Sequence, residues 1–266
     1  MQHKIKPTFS SVELPLLRQG PQSFFPIVAI IQARMGSTRL PGKVLKQVLG
    51  KPLLEFLIER VRKVQHIDSF AVATTLNTQD DLIAEFCNSH STHCFRGPEE
   101  DVLSRMYECA KSFDAEVVIR ITADCPLLDP LLLSSAIYYF RSHFDSLDYF
   151  SNTLDRTYPR GMDIEIMRFS ALEAAFFHAK KQDQREHVTP YIIEHSNQFR
   201  LGNFTQKINE SDLRLTCDEQ ADFELIRRIL EELYPKNPFF LLQDIRNCLE
   251  THPDWKKINA HIQQKT

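Results

Sequence analysis

The chain has 266 residues, of which 42% are hydrophobic and 25% charged, and its formal net charge is −3. This composition is that of a soluble globular protein with one large core, or with one core and a smaller attached subdomain. It excludes a whole-molecule attraction to nucleic acid or anionic lipid, so a polyanionic ligand would have to meet a local basic patch.

The sequence favours a cytoplasmic protein without a membrane partner. No window reaches 18 apolar residues, and residues 1–25 lack the apolar stretch and cleavage site of a signal peptide. The six cysteines form no C-x-x-C pair, which is typical of small core residues in a reducing compartment. Residues 1–25 are interpreted as a poorly ordered extension. The alternative is a strand or helix that docks on the domain.

Short apolar runs alternate with stretches of helical periodicity in the first half of the chain. In chain order the predicted elements are a strand at 27–32, a helix from 52, a strand at 70–74, a helix at 79–89, a short strand at 92–95, a helix at 101–111, a strand at 115–121 and a helix at 130–142. This alternation predicts an α/β fold whose mostly parallel sheet is covered on both faces.

The pattern changes in the second half. The elements predicted there are irregular strand and loop at 145–168, largely helical structure at 170–195, strands at 200–204 and 213–215, and helices at 219–233 and 239–250. The segment 153–210 is interpreted as an insertion packed on a sheet domain of residues 26–250, with 251–266 as a tail. We expect the insertion to carry an acceptor pocket and a subunit contact.

The loop Ala33–Lys43 (ARMGSTRLPGK) directly follows the first predicted strand, at the end where open α/β sheets bind ligands. Glycine and serine allow backbone N–H groups to approach an anion, and Arg34, Arg39 and Lys43 add three cations. Residues 27–54 contain five basic residues and no carboxylate. The loop therefore predicts a polyphosphate ligand. The alternative is a solvated basic loop.

Two common phosphate-binding motifs do not fit this loop. A Walker A loop has four residues between its glycines and Ser or Thr after its lysine, but five residues separate Gly36 from Gly42, and Val44 follows Lys43. The G-x-G-x-x-G dinucleotide motif is also absent. Neither a Walker-type ATPase nor a nicotinamide site is indicated.

Two aspartates are expected at the same edge of the sheet as the loop. Asp124 follows the strand VVIRIT, and Asp218 follows LRLTC. Mg2+ prefers one or two carboxylates together with phosphate oxygens and water, so the pair is a candidate metal site. The alternative for each aspartate is a helix N-cap, which is the role predicted for Asp129. Asp222 is a weaker candidate ligand.

The loop pattern A-R-x-x-S-T-R-L-P-G-K resembles the N-terminal signature of the sugar cytidylyltransferases. This family includes the CMP-Kdo synthetases, the CMP-acylneuraminate synthetases and, above all, the spore coat polysaccharide biosynthesis protein F type. The resemblance implies that the loop wraps the triphosphate of CTP and that Arg34 and Lys43 act in catalysis. The substrate-binding loop residues that it implies are Ala33, Gly36, Ser37, Thr38 and Arg39.

Two further elements resemble the spore coat type. Arg120–Pro126 matches R-x-T-x-D-x-P, and Leu215–Asp222 matches L-T-x-D-x-x-x-D. The resemblance implies that Asp124 and Asp218 bind Mg2+, that Asp124 is catalytic, and that Arg120 contacts the substrate. The second element departs from the usual D-T-P-E-D, because it lacks the proline at the helix start.

Other matches suggest contacts with the base, ribose and acceptor. D-V-L-S-R, which ends at Arg105, resembles D-V-L-x-R-Y, with Met106 where Tyr is common. R-E-H-V-T-P-Y begins at Arg185, whose side chain could pair with an acceptor carboxylate, and G-M-D-I-E resembles G-x-D-x-E. The substrate-binding residues implied by these matches and by the strand at 70–74 are Thr74, Arg105, Asp163, Glu165, Arg185, Glu186 and His187. The alternative for Arg105 is a helix-surface arginine, and for Arg185, Glu186 and His187 it is a structural network.

The resemblance implies a three-layer α/β/α nucleotidyltransferase domain of the glycosyltransferase-A type with a small dimerisation or acceptor subdomain. It implies a homodimer that transfers CMP from CTP to an acidic sugar of the 2-keto-3-deoxy or nonulosonate type, with Mg2+, in surface polysaccharide synthesis. The alternatives are a nucleotidyltransferase that uses another triphosphate, a glycosyltransferase, and a non-catalytic nucleotide-binding partner.

Overall fold

The computed structural model of the protein describes residues 9–14 and 25–263. Its strands are β1 (Phe9–Glu13), β2 (Ile27–Gln32), β3 (Gln47–Val48), β4 (Lys51–Pro52), β5 (Ser69–Thr75), β6 (His93–Gly97), β7 (Val117–Thr122), β8 (Tyr149–Ser151), β9 (Glu165–Arg168) and β10 (Leu201–Thr205). Its α-helices are α1 (Leu53–Val61), α2 (Asp81–Ser89), α3 (Val102–Ser112), α4 (Pro130–Ser142), α5 (Phe169–His178), α6 (Gln182–His187), α7 (Pro190–Glu194), α8 (Gln220–Leu233) and α9 (Leu242–Thr251).

Eight strands form one sheet in the order β1-β10-β8-β9-β7-β2-β5-β6. Strand β9 is antiparallel to both of its neighbours, β7 and β8, and the other pairs of this sheet are parallel. The predicted mostly parallel sheet is confirmed. Because β7, β2 and β5 are parallel neighbours, their carboxyl ends and the loops that follow meet at one edge of the sheet.

Alternating side chains of each central strand enter two separate cores. On β2, Ile27, Ala29 and Ile31 belong to one core, and Val28 and Ile30 belong to the other. Residues of α1, α2, α4, α8 and α9 complete the first core, whereas residues of α3, α5 and α7 complete the second. A strand buried on both faces reads as the continuous apolar run seen in the sequence. The predicted three-layer α/β/α arrangement is confirmed.

Aspartate caps fix where two of these helices begin. Asp101 accepts a hydrogen bond from the N–H of Ser104 (2.9 Å) at the start of α3. Asp129 accepts from the N–H of Leu131 (2.8 Å) at the start of α4, so its predicted role as a cap is confirmed. The other Asp129 oxygen accepts from the N–H of Leu242 (2.8 Å), which ties the start of α9 to the start of α4.

The structure differs from the sequence prediction at the N-terminus. Phe9–Glu13, predicted as part of a poorly ordered extension, forms β1 and pairs in parallel with Leu201–Thr205. The docking alternative therefore holds for these five residues. Residues 1–8 and 15–24 lie outside the described part of the chain.

The second half of the chain is more closely integrated than predicted. The segment 153–210, predicted as an insertion, supplies β9 and β10 to the main sheet. The strand predicted at 213–215 does not form, since only an isolated bridge between Arg160 and Arg214 occurs there. The predicted tail contains a short 3-10 helix, Pro253–Lys257, and a buried Asn259. Up to residue 263, the described part of this tail belongs to the same domain.

Candidate active site

The basic loop leaves β2 at the carboxyl edge of the sheet and folds back on itself. The N–H groups of Ser37 and Gly42 both donate to the carbonyl of Met35, at 2.8 and 3.0 Å. Gly42 adopts a φ of 67°, in the left-handed region that favours glycine. The N–H of Met35 donates to Asp80 Oδ1 (2.6 Å), which anchors the loop to the chain that follows β5. The loop is thus held in one compact shape by contacts to its own backbone and to its neighbour.

The two predicted carboxylates meet on Lys43 of this loop. Lys43 Nζ donates to Asp124 Oδ2 and to Asp218 Oδ1, both at 2.8 Å. The N–H of Cys217 donates to the carbonyl of Asp124 (2.8 Å), which joins the two aspartate-bearing segments. The sequence expectation that both aspartates face the cationic loop therefore agrees with their position. Two carboxylates converge here on a single cation.

The electrostatics of this cluster keep Lys43 and Asp218 charged. Burial alone would lower the pKa of Lys43, but Asp124 and Asp218 outweigh it and raise that pKa above its usual value. Burial would raise the pKa of Asp218, but Lys43, Arg214 and Arg39 lower it below its usual value. Opposite charges within hydrogen-bond distance favour the ionised forms of both partners.

A buried network, which we call the Asp218 support, holds this carboxylate in place. Arg214 donates to Asp218 Oδ2 (2.6 Å) and to Asp222 Oδ1 (2.9 Å). Asp222 Oδ2 accepts from the N–H groups of Asp218 and Glu219, both at 3.0 Å. Asn259 donates to Asp222 Oδ1 (2.8 Å) and to the carbonyl of Arg214 (2.9 Å). Asp222, predicted as a weaker ligand candidate, is thus fully buried behind Asp218.

A cleft of about 470 Å³ opens over this cluster. Residues predicted from the sequence and found in its lining are Ala33, Arg34, Ser37, Thr38, Arg39, Lys43, Arg120, Asp124, Asp163, Glu186, His187 and Asp218. The loop cations each have a carboxylate partner. Arg34 lies 3.4 Å from Glu99, and Arg39 lies 3.2 Å from Asp218.

Two arginine–carboxylate pairs form part of the frame of the cleft, and Arg120 and Asp163 of these pairs belong to its lining. Arg120 pairs with Glu165 and donates through Nε to Gln32 Oε1 (2.9 Å). Glu165 Oε1 accepts from the hydroxyls of Tyr149 (2.7 Å) and Thr189 (2.8 Å). Burial would raise the pKa of Glu165, but Arg120 outweighs it, so that pKa is lowered and the buried side chain stays an anion. The second pair is made in the same way by Arg156 and Asp163, whose Nη2 and Oδ2 atoms are 2.8 Å apart.

Three ionisable side chains of the cleft have no such partner. For Arg160, Glu186 and His187, no side-chain hydrogen bond or ion pair to another described residue is found, although all three line the cleft. Burial, and then Arg156, lower the pKa of Arg160, and the carboxylates of Asp163 and Asp212, neither of which forms an ion pair with it, offset this only in part. A cation next to other arginines, without an ion-paired carboxylate, favours an incoming anion.

Gly161 explains how Arg160 reaches the cleft. Arg160 exchanges backbone hydrogen bonds with Leu213 (3.0 Å) and Leu215 (2.7 Å). Gly161 has a φ of 97°, and a Cβ built there would lie 2.5 Å from the Leu215 carbonyl carbon and oxygen. Only glycine allows this close approach of the two segments. The contact places Arg160 beside the chain that leads to Asp218.

Two predicted arginines are used elsewhere. Arg185 pairs with Asp101 and donates to the carbonyl of Phe176 (2.7 Å), away from the cleft lining. Arg105 is buried and donates to the carbonyls of Pro98 and Glu99 (3.3 Å to Glu99). The geometry of both is that of structural residues. For Arg185 this is the alternative that the sequence left open, whereas for Arg105 the alternative was a helix-surface arginine, and the structure buries it instead.

Three other predicted residues are also absent from the cleft lining. Gly36 lies within the loop, where an added Cβ would approach the side chains of Gln79 and Glu99. Thr74 is fully buried in β5, and its hydroxyl has no hydrogen-bond partner among the described residues. Glu165 is not part of the cleft lining, but it pairs with Arg120, which is.

Sequence reasoning missed several lining residues, and most of them stand within the motifs already named. These are Gln32, Val44, Thr122, Ala123, Cys125, Arg160, Gly161 and Thr216. These residues could have been found from their proximity in sequence to Asp124, Asp218 and the loop, because neighbours at the end of a strand lie at the same edge of the sheet. Arg160 opens the R-G-M-D-I-E element but was not singled out as a site residue.

Comparison with known proteins now decides the family. A protein-family model described as cytidylyltransferase matches residues 28–247, most of the chain. The chain belongs to the cytidylyltransferase family. The mostly parallel sheet is thus that of a nucleotidyltransferase that uses CTP. Among the described residues of this cytidylyltransferase, no helix is both long and apolar enough to cross a bilayer.

Two relatives and one solved structure are similar to this chain over most of its length. The cytidylyltransferase is 37% identical over 242 residues to an uncharacterized protein of Methanocaldococcus jannaschii, covering 90% of this chain and 97% of that protein. It is 32% identical over 235 residues to the spore coat polysaccharide biosynthesis protein SpsF of Bacillus subtilis, covering 86% and 95%. A cytidylyltransferase structure from Leptospira borgpetersenii superposes with a TM-score of 0.84 at 29% identity, covering 91% and 100%.

Proposed function

We propose that this cytidylyltransferase transfers CMP from CTP to a sugar that carries a carboxylate, with release of pyrophosphate. The observation that carries the proposal is Arg160, a cation without a carboxylate partner among the described residues, in the same cleft as Lys43, Asp124 and Asp218. We call Ala33–Lys43 with the two aspartates the nucleotide half of the cleft. Arg160, Asp163, Glu186 and His187 are the acceptor half.

In the nucleotide half, chain residues bind the triphosphate and stabilise the leaving group. Arg39 and Lys43 are positioned to exchange their carboxylate partners for phosphate oxygens, because their side chains line the cleft. An acceptor hydroxyl oxygen forms a bond to the α-phosphorus, and the bond from that phosphorus to the β-phosphate oxygen breaks. Pyrophosphate leaves with negative charge that the two cations stabilise, and the hydroxyl proton passes to solvent in the open cleft.

The donor set fits a Mg2+ ion. Asp124 and Asp218 present one oxygen each to the same cation, the ammonium of Lys43, and hard carboxylate oxygens are the ligands that Mg2+ prefers. These two residues would hold the ion, which would neutralise phosphate charge when bound. The Asp218 support fixes one of the two ligands in orientation, as outer-shell partners of metal ligands commonly do.

In the acceptor half, Arg160 binds the carboxylate of the sugar. Its guanidinium can make two parallel hydrogen bonds to a carboxylate, which a lysine cannot. Glu186 and His187 offer a carboxylate and an imidazole to the sugar hydroxyls. Arg185, for which the sequence suggested the carboxylate contact, is already committed to Asp101.

A pyrophosphate-release panel tests the proposal. The four ribonucleoside triphosphates are each combined with Mg2+ and with 3-deoxy-manno-octulosonate, N-acetylneuraminate and other sugar acids, and each acid is matched by its methyl ester. We expect release with CTP and at least one sugar acid, and little with its ester, because the ester removes the charge that Arg160 binds. Release with the ester at the rate of the acid would contradict the role of the carboxylate. If no pair of triphosphate and sugar acid releases pyrophosphate, the proposed transfer reaction is contradicted.

The cellular setting is part of the same proposal. A role in surface polysaccharide synthesis is supported by the similarity to the Bacillus subtilis protein. A cytoplasmic location is supported by six cysteines that are all free thiols. The homodimer is proposed from the family resemblance alone, since a single exposed side chain such as Phe177 is normal on a monomer surface. Light scattering after size exclusion would measure the mass, and a monomer at working concentration would contradict the dimer.

A further inference from the structure

The chain turns sharply at Val188, directly after the two residues that enter the acceptor half. Val188 has a φ of 71° and a ψ of −58°, and the N–H of Thr189 donates to the carbonyl of His187 (2.9 Å). These values describe a three-residue γ-turn with positive φ, a rare and strained conformation. For a β-branched residue such a φ is an outlier, because its Cβ crowds the backbone.

The surrounding structure holds this turn in place from both sides. The Val188 side chain is fully buried in the second core, and its N–H donates to the carbonyl of Gln184 (3.2 Å). The next residue, Thr189, donates through its hydroxyl to the buried Glu165 (2.8 Å). Pro190 then begins α7 with the fixed φ that suits a first helical position. Strain of this kind persists only where neighbours over-determine it.

The turn decides which way α6 presents its last residues. Arg185 is anchored on the core side by the Phe176 carbonyl and by Asp101. Glu186 and His187 line the cleft and, within the described residues, have no side-chain hydrogen bond to hold them. A relaxed backbone at Val188 would change the path of the chain at the point where these two side chains leave it.

We infer that Val188 is a positioning residue for the acceptor: its strained turn fixes Glu186 and His187 toward the sugar hydroxyls. The inference rests on the proposed function, because it assumes that a sugar occupies the acceptor half. It goes further by placing part of the acceptor affinity in a backbone conformation. Strained backbone of this kind is found at ligand clamps, where it pre-organises the contact.

Comparing two variants at this position isolates the backbone contribution. Val188→Ala and Val188→Gly both remove the buried isopropyl group, but only glycine adopts positive φ without penalty. We expect the Gly variant to melt at a higher temperature than the Ala variant. Ala175→Gly, at a buried position inside α5, is the control, and there glycine should lower the melting temperature. If the Gly variant at 188 melts no higher than the Ala variant, the backbone at this position is not strained and the inference is wrong.

Steady-state kinetics test the positioning role, using CTP and the sugar acid that the wild type accepts, with 3-deoxy-manno-octulosonate tried first. The Ala variant escapes strain by leaving the turn, so we expect its KM for the sugar to rise about tenfold. The Gly variant keeps the turn and should retain a KM close to the wild-type value. The KM for CTP should stay unchanged in both variants, because among the described residues no hydrogen bond or ion pair joins this turn to the nucleotide half.

The outcomes separate this inference from the proposed function. An active wild type whose sugar KM is the same in the wild type, Ala and Gly proteins would overturn the role of Val188 alone. A KM for CTP that rises in parallel with that for the sugar would also overturn it, since general loosening would then be the cause. A wild type that is inactive on every sugar acid would overturn the proposed function, and the inference with it.

Discussion

The two halves of the cleft differ in whether their charged side chains are paired with one another. In the nucleotide half, every cation that the basic loop brings to the cleft has a carboxylate partner, and Lys43 has two. In the acceptor half, Arg160, Glu186 and His187 have no such partner among the described residues. The first half therefore holds its shape without substrate, whereas the second leaves charge for a substrate to neutralise.

Under the proposed function, this difference separates catalysis from the selection of the acceptor. A pre-organised set of charges stabilises a transition state without reorganisation at the moment of reaction. Unpartnered charges instead discriminate between ligands, because a wrong acceptor leaves them unsatisfied. Mutations in the first half should thus lower kcat, and mutations in the second should mainly raise the KM for the sugar.

The largest effect is expected at the junction of the nucleotide half. Asp124→Asn removes one of the two charges on Lys43 with little change in shape, and kcat should fall about a thousandfold. Lys43 stays paired with Asp218, so the melting temperature should change little. Pyrophosphate release and thermal melting measure the two effects, with the exposed Asp254→Asn as control. Retained turnover would show that Asp124 is not a ligand.

Replacing Lys43 tests the same half from the cationic side. In Lys43→Met the leaving group loses a buried cation and two carboxylates are left to repel each other, so kcat/KM for CTP should fall about a hundredfold. Lys46→Met is the matched control, because Lys46 lies over the Phe223 ring and does not line the cleft. If both variants lose activity equally, the loop as a whole matters rather than the Lys43 cluster.

A pair of arginine variants tests the acceptor half. Arg160→Met should raise the KM for the sugar acid by about 10- to 100-fold and leave the KM for CTP unchanged, because a charged hydrogen bond to substrate is lost. Arg185→Met should instead lower the melting temperature, since its contacts are to Asp101 and Phe176. The opposite pattern would restore Arg185 as the carboxylate ligand.

The smallest effect concerns the frame behind the acceptor half. The folded-state pKa of Glu165 is lowered, so its contribution to stability is complete above its ordinary pKa of about 4.3 and is lost as pH falls through the folded value. Glu165→Gln should cost about 1.5 kcal/mol at neutral pH. The difference from wild type should shrink below about pH 4. Urea unfolding between pH 3 and 7 measures this, with the surface variant Glu231→Gln as control. A difference independent of pH would contradict the ionised state.

The sheet and the nucleotide half were accessible from the sequence because their signals are local. The buried run at Ile27–Gln32 reads as a strand on its own, and the ends of parallel strands necessarily meet at one edge. The strand predicted at 213–215 was wrong, because a local apolar pattern does not show whether a partner strand is present. Its apolar alternation is local, but the backbone of Leu213 and Leu215 bonds to Arg160, and the Leu213 N–H to the carbonyl of Glu210, rather than to a continuous ladder.

The acceptor half was harder to predict because it depends on tertiary choices. Arg185 stands next to Glu186 and His187 in sequence, but successive residues of a helix point about 100° apart, so they cannot all face one cleft. Which arginine stays unpaired is also decided at a distance. Arg156 takes Asp163, and Arg160 is left without a partner in the described part of the chain. No local pattern distinguishes those two residues.

The hydrogen bonds that Asn259 makes in the Asp218 support affect the order in which parts of the protein fold during synthesis. Asp218 is held by Arg214 and Asp222, and both of these bind Asn259, which lies near the end of the chain. During synthesis the amino-terminal part emerges first, so the basic loop and Asp124 leave the ribosome well before Asn259 can make these hydrogen bonds. Asp218 can reach its final arrangement only once residue 259 has been released. A nascent chain would therefore fold much of its sheet before the Asp218 support is complete.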